Sequence, residues 1–91
     1  MKIRWTHAAA GDLQHIKDYL AEHHPQYTQS TIIELYEAVR SLKALPLRGK
    51  LGRIKGTREL VLTQLPYIVA YRVTEQAVEI LHIYHGAQNR P

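Results

Sequence analysis

The 91-residue chain contains no cysteine, which excludes disulfide bonds, cysteine-based zinc sites and the disulfide scaffolds of small secreted proteins. It also has no apolar run that approaches the length of a membrane span, and its first residues, MKIRWT, lack the apolar region of a signal peptide. Neither a Gly-rich phosphate loop nor a glycosidase-type carboxylate pair is present. These absences predict a single cytoplasmic domain over residues 1–91 that does not contact membranes.

Positive charge is abundant but confined to one segment. The net charge is +4, from 12 basic and 8 acidic residues. Five of the basic residues lie between positions 48 and 58, which contain no acidic residue, so the rest of the chain is near balance. The five are Arg48, Lys50, Arg53, Lys55 and Arg58. This basic segment (residues 48–58) is either a solvated loop or a surface that binds a negatively charged partner.

The first half of the chain has helical periodicity. Residues 2–6 alternate between charged and apolar side chains, which predicts a short strand, and Thr6 is a suitable N-cap for the helix that follows. We expect helices over residues 7–24 and 25–45, with Pro46 ending the second. Two helices joined by so short a connection predict an antiparallel helical hairpin.

The second half changes to the two-residue period of strands. Residues 58–62, 67–73 and 77–85 are rich in Val, Ile, Leu and Tyr and are separated by short polar breaks, which predicts an antiparallel meander. The order is then β-α-α-β-β-β. We therefore expect an α+β fold, with a mainly antiparallel four-stranded sheet, the helical hairpin packed on one face, and a short tail over residues 86–91.

Several stretches resemble the RelE/ParE superfamily of bacterial toxins. They are 56-GTRELVL-62, 66-PYIVAYRV-73 and 80-ILHIYHGAQNRP-91, together with Trp5-Thr6 and with Pro46 followed by Gly49 and Gly52. The resemblance covers nearly the whole chain. It implies the toxin of a type II toxin–antitoxin module, without a cofactor, in a hetero-oligomer with a cognate antitoxin protein. RelE-like members cleave mRNA on the ribosome, whereas ParE-like members inhibit DNA gyrase.

The nuclease pattern of the superfamily is only partly present. RelE-like nucleases carry basic residues on the middle strands, where this sequence has Glu59, Val61 and Ile68. His85 stands where several nuclease relatives carry a catalytic His, and a His can act as acid or base near neutral pH. Under the nuclease alternative, the catalytic residues would be His85, Arg58 and Arg53. Arg58 could equally pair with Glu79 or Glu59.

The departures favour a ParE-like gyrase inhibitor that is not an enzyme. A ribosome-dependent mRNA endonuclease remains the alternative, and so does a relic that still binds its antitoxin but is no longer toxic. We expect the basic segment to contact the target or the antitoxin, with two further contributors, Arg72 and Tyr84. No metal is expected, because His82 and His85 are three residues apart on a strand and so point to opposite faces.

Overall fold

The computed structural model describes residues 1–86, in which a helical hairpin packs on one face of a five-stranded sheet. Helices α1 and α2 span His7–His23 and Pro25–Ser41. The strands are β1 (Lys2–Trp5), β2 (Lys50–Leu51), β3 (Arg58–Val61), β4 (Tyr67–Val73) and β5 (Ala77–His85). Their order in the sheet is β1-β5-β4-β3-β2, with β1 parallel to β5 and all other neighbours antiparallel. No helix within residues 1–86 is both long enough and apolar enough to span a membrane.

The α+β class and the helical hairpin are confirmed, but the expectation of four strands is wrong. The additional strand, β2, has only two residues and lies inside the basic segment, so no two-residue period reveals it. The sheet is also mixed, because the helical hairpin carries the chain back to a position where β1 and β5 run in parallel. Apart from Gly86, the expected tail lies outside the described residues.

The second helix ends at Ser41, before the expected stop at Pro46. The amides of Leu42 and Lys43 donate to the carbonyl groups of Val39 and Arg40, each at 3.0 Å. These bonds to the third preceding residue tighten the chain into turns, so the helix is complete before the proline acts.

Thr6 joins the start of α1 to the sheet. Its backbone is extended and its hydroxyl oxygen accepts from the Ala9 amide at 3.2 Å, which confirms the predicted N-cap. The same hydroxyl donates to the Ile80 carbonyl at 2.7 Å. Beyond the end of β1, α1 follows the edge of β5, where the Asp12 carboxylate accepts from the Ile83 amide at 2.9 Å. The helix therefore covers a strand edge that no strand pairs.

The hydrophobic core lies between the hairpin and one face of the sheet. Its helical members are Ala9, Leu13, Leu35, Val39 and Leu42, and its strand members are Leu60, Val69, Tyr71, Val78, Ile80 and Ile83. We call this helix-covered side of the sheet the inner face and the opposite side the outer face. Both helices of residues 1–86 contribute to the core on the inner face.

Candidate functional site

A bulge in β5 determines which side chains of this strand can meet. Tyr71 is opposite Ile80, and Ala70 is opposite His82, so Leu81 has no partner in β4. The extra residue shifts the alternation of β5 by one. Val78, Ile80 and Ile83 therefore share the inner face, and Tyr84 lies across from Ile68 on the outer face.

His85 lies on the inner face, at the turn end of the helical hairpin. Its ring contacts Tyr67 edge-on, with 5.8 Å between ring centroids. Both residues line an open groove of about 970 Å³ between the hairpin turn and the ends of β4 and β5, which we call the hairpin groove. Burial raises the pKa of the Tyr67 phenol above 10.0, and the nearby Tyr19 raises it further. His82 is opposite Ala70 in β4, so its position alternates with that of His85, but it lines the hairpin groove too, and its Nδ1 is 3.2 Å from the Asp12 carboxylate.

Arg58 lies far from His85 and binds the backbone of its own chain. Its guanidinium donates to the Gly49 carbonyl at 2.7 Å and to the Leu47 carbonyl at 3.4 Å. Arg58 is opposite Tyr71 and His85 is opposite Tyr67, so they are four residues apart along the sheet and two strands apart across it. At about 3.4 Å per residue and about 4.8 Å per strand, their backbones are about 17 Å apart. The sheet does not bring these two candidate catalytic residues together.

Arg53 belongs to a different place, a shallow cleft of about 300 Å³ that we call the outer cleft. Lys50, Glu59, Ile68 and Tyr84 line it too, and Tyr84 is only 7% exposed. Glu59 is directly opposite Lys50 across β2 and β3, so a carboxylate partly offsets the positive charge. The described residues that line the cleft include no histidine.

Arg72, also predicted to bind a partner, is held by a buried carboxylate on the outer face. Its Nε and Nη2 donate to Glu79 Oε1 at 3.0 and 2.7 Å, and Arg4 pairs with the other carboxylate oxygen. Glu79 is 4% exposed, whereas the side chains of Arg4 and Arg72 are 65% and 52% exposed. Sequence reasoning missed this cluster. The available signal was an acidic residue within the otherwise apolar run VEIL.

The remaining candidates, Arg48 and Lys55, are exposed on the basic segment. Arg48 donates to the Ser41 hydroxyl at 2.7 Å, and Lys55 lies in a turn closed by a 2.8 Å bond from the Gly52 amide to the Thr57 carbonyl. Gly56 completes that turn with φ at +85°, an angle that favours glycine. The basic segment is thus a folded structure at the β2 edge of the sheet.

Among residues 1–86, no three or more His, Asp or Glu side chains are grouped so that they could hold a metal ion. Of the site candidates, His85 lines the hairpin groove, Lys50 and Arg53 line the outer cleft, Tyr84 lines both, and Arg72 pairs with Glu79.

Comparison with known proteins identifies relatives over nearly the full length. The family model described as the ParE toxin of the type II toxin–antitoxin system parDE matches residues 3–90. Y4kP of Sinorhizobium fredii, which carries a provisional designation as a toxin, is 40% identical over 99% of this chain and 93% of its own. Toxin RelE2 of Caulobacter vibrioides is 36% identical over 96% of this chain and 97% of its own.

Two solved structures share the fold. A chain of the chromosomal ParDE toxin–antitoxin system from P. aeruginosa superposes with a TM-score of 0.86 at 27% identity, covering 93% of this chain and 95% of that one. A chain of the toxin–antitoxin complex RelBE2 from Mycobacterium tuberculosis gives 0.64 at 26% identity, covering 92% and 95%. Relatives with ParE names and relatives with RelE names are thus both present.

Proposed function

Because the chain belongs to the ParE toxin family of type II toxin–antitoxin systems, we propose that it arrests bacterial growth by inhibiting DNA gyrase, without catalysing a reaction itself. In this proposal a cognate antitoxin binds the toxin and keeps it inactive in the cytoplasm. The family membership supplies the class of protein, and the arrangement of its polar side chains supports the choice of target.

The distance between His85 and Arg58 carries the proposal. Metal-free RNA cleavage needs a base for the ribose hydroxyl, a cation for the developing phosphorane charge and an acid for the leaving oxygen, all within hydrogen-bond reach of one phosphate. Side chains that act on one phosphate must each come within about 3 Å of it, whereas the backbones of these two residues are about 17 Å apart across the sheet. In addition, the Arg58 guanidinium is engaged with two backbone carbonyl groups.

The outer cleft adds support for a non-catalytic role. The nuclease pattern calls for basic residues on the middle strands, and here Glu59, Val61 and Ile68 occupy them on the outer face. A carboxylate and two apolar side chains do not stabilise a phosphorane. The protein therefore fits inhibition by binding better than RNA cleavage.

The alternative, a ribosome-dependent mRNA endonuclease, draws on a different observation. Lys50, Arg53 and Tyr84 all line the outer cleft, so two cations and one phenol share it. The identity of 36% to a protein named RelE2 also favours keeping this alternative under test. In such a nuclease, Arg53 would act with Tyr84 rather than with His85.

Two parallel assays on the purified full-length chain separate the proposals. One follows the supercoiling of relaxed plasmid by gyrase, and the other follows mRNA cleavage on programmed ribosomes. We expect gyrase inhibition without mRNA cleavage, and equal inhibition by wild type, His85→Ala and the control His7→Ala, since His7 is exposed at the start of α1.

Ribosome-dependent cleavage would overturn the proposal, and the variants would then assign the chemistry. Loss of cleavage in His85→Ala would point to the hairpin groove, whereas loss in Arg53→Ala with His85→Ala active would point to the outer cleft. A chain that neither inhibits gyrase nor arrests growth when expressed would be the relic that binds only its antitoxin.

A further inference from the structure

Apolar side chains project to solvent from the turns around β2. The four most exposed large apolar residues among those described are Leu45, Leu47, Leu51 and Ile54, at 60, 64, 76 and 66% exposure. They are interspersed with four exposed cations, Arg48, Lys50, Arg53 and Lys55. We call residues 45–55 the apolar–basic surface. A small protein that leaves so many leucine side chains in water at one place has a surface suited to a partner.

The apolar–basic surface is held in place by the sheet. The Arg48 amide donates to the Leu45 carbonyl at 3.1 Å, and the Arg58 guanidinium donates to Gly49 and Leu47 carbonyl groups beneath the segment. The Gly49 amide donates to the buried Tyr71 hydroxyl at 2.8 Å. The exposed leucines therefore extend from a fixed backbone, so a partner would meet an ordered surface and lose little entropy in ordering it.

The composition of this surface selects its partner. Nucleic acid would bind the cations, but single-stranded bases stack on aromatic rings, and residues 45–55 contain none. Binding of phosphate groups to the cations would also leave the leucine side chains exposed to water. A second copy of the chain would bring the same positive charges together. A protein segment with both acidic and apolar side chains satisfies the leucines and the cations at once.

We propose that the apolar–basic surface is the docking site for an acidic, apolar segment of the cognate antitoxin. This inference rests on the proposed function for the existence of an antitoxin, and it does not depend on gyrase being the target. In this inference, antitoxin binding depends on the charge of the basic segment and also on apolar contacts, which are made by Leu45, Leu47, Leu51 and Ile54.

The test measures the dissociation constant between the full-length toxin and its purified cognate antitoxin. Leu47→Ser with Leu51→Ser should weaken binding at least tenfold, and their high exposure should leave the fold intact. The matched control is Ile33→Ser with Tyr27→Ser, two exposed apolar residues on α2, which should change the constant by less than about twofold.

A second pair of variants keeps the test decisive if the leucine variant fails to fold. Lys50→Glu with Lys55→Glu should also weaken binding, and the loss should shrink as salt is raised. The control is Lys2→Glu with Lys17→Glu, two exposed cations elsewhere on the protein. Antitoxin affinity that is unchanged in both the leucine and the lysine variants would overturn the inference.

Gyrase inhibition by the same variants separates this inference from the proposed function. We expect the leucine variant to inhibit gyrase as wild type does. Reduced inhibition with unchanged antitoxin affinity would overturn the inference and assign the surface to gyrase. The inference would also be overturned if wild type bound a duplex oligonucleotide or anionic phospholipid vesicles and the leucine variant lost that binding while keeping its antitoxin affinity. Absence of inhibition by wild type would refute only the gyrase proposal.

Discussion

Replacing Tyr71 with phenylalanine tests how the apolar–basic surface is attached to the sheet. The Tyr71 ring is 0% exposed. Its hydroxyl donates to the Pro46 carbonyl at 2.8 Å and accepts from the Gly49 amide at 2.8 Å. One phenol therefore fixes both sides of the turn that leads into β2. Phenylalanine keeps the ring in the core and removes only these two bonds.

The expected cost follows from the burial of the two groups that lose their partner. Gly49 is buried, so its amide would stay without a hydrogen bond, which costs about 1–3 kcal/mol. Pro46 is partly exposed, so its carbonyl can regain water at little cost. We expect a loss of about 1–3 kcal/mol, which at about 4–8 °C per kcal/mol lowers Tm by about 4–24 °C in a domain of this size.

Urea unfolding of the full-length chain measures this loss. Trp5, the only tryptophan, packs against the core and reports unfolding by its fluorescence. The slope m should be unchanged, because the surface exposed on unfolding is nearly the same. The control is Tyr27→Phe, whose ring is 57% exposed and which should stay within about 0.5 kcal/mol of wild type. If Tyr71→Phe were as stable as Tyr27→Phe, the hydroxyl would not be holding the turn.

Three other perturbations have a definite sign. Gly49→Ala should cost about 1–3 kcal/mol, since its Cβ would lie 2.7 Å from the Tyr71 hydroxyl. Gly11→Ala should instead gain about 0.5–1 kcal/mol in α1, since its Cβ would meet nothing within 4 Å beyond the neighbouring backbone of its own helix; the two urea midpoints must move in opposite directions. Glu79→Gln should cost about 1–2 kcal/mol, because two half-exposed arginines lose a buried carboxylate, while the exposed Glu75→Gln melts like wild type. Burial, and then Tyr19, raises the pKa of Tyr67 in the folded protein, so the unfolded chain ionises first as the pH rises. The contribution of this tyrosine to the free energy of unfolding should therefore be full below pH 10.0 and fall above it. Tyr67→Phe should flatten this fall when urea unfolding is measured at about pH 9–11.

The elements that the sequence predicts well are those with a long period or a local chemical signal. The two helices and the strands β3 to β5 lie within a few residues of their expected positions, because each has several apolar residues at regular spacing. Thr6 lies at its expected N-cap position, where its hydroxyl was the signal. Strand β2 has two residues, and both are exposed. No spacing can reveal it, because its existence depends on pairing with β3, which is a tertiary contact.

Ion pairs were less accessible to sequence reasoning than strands. Glu79 was a possible partner for Arg58, but in the fold it binds Arg4 and Arg72. Arg4 is 75 positions away in the chain, and only the parallel pairing of β1 with β5 brings it opposite Glu79. Arg58 instead binds carbonyl groups of the segment before β2, which requires that segment to fold back along β3. Charge type alone indicates that partners exist, and topology selects them.

The bulge at Leu81 has the largest effect on the functional argument. With strict alternation from Val78 and Ile80, Tyr84 would face the helices and His85 the outer face, next to the positions of the nuclease pattern. The unpaired Leu81 exchanges the two, so that His85 contacts Tyr67 at the hairpin groove and Tyr84 lines the outer cleft. Although His85 aligns in sequence with a catalytic histidine, its side chain is therefore not at the outer cleft, where Lys50 and Arg53 lie. Since one inserted residue reverses every later side chain of a strand, functional residues near the end of β5 must be assigned from strand register rather than from spacing along the chain.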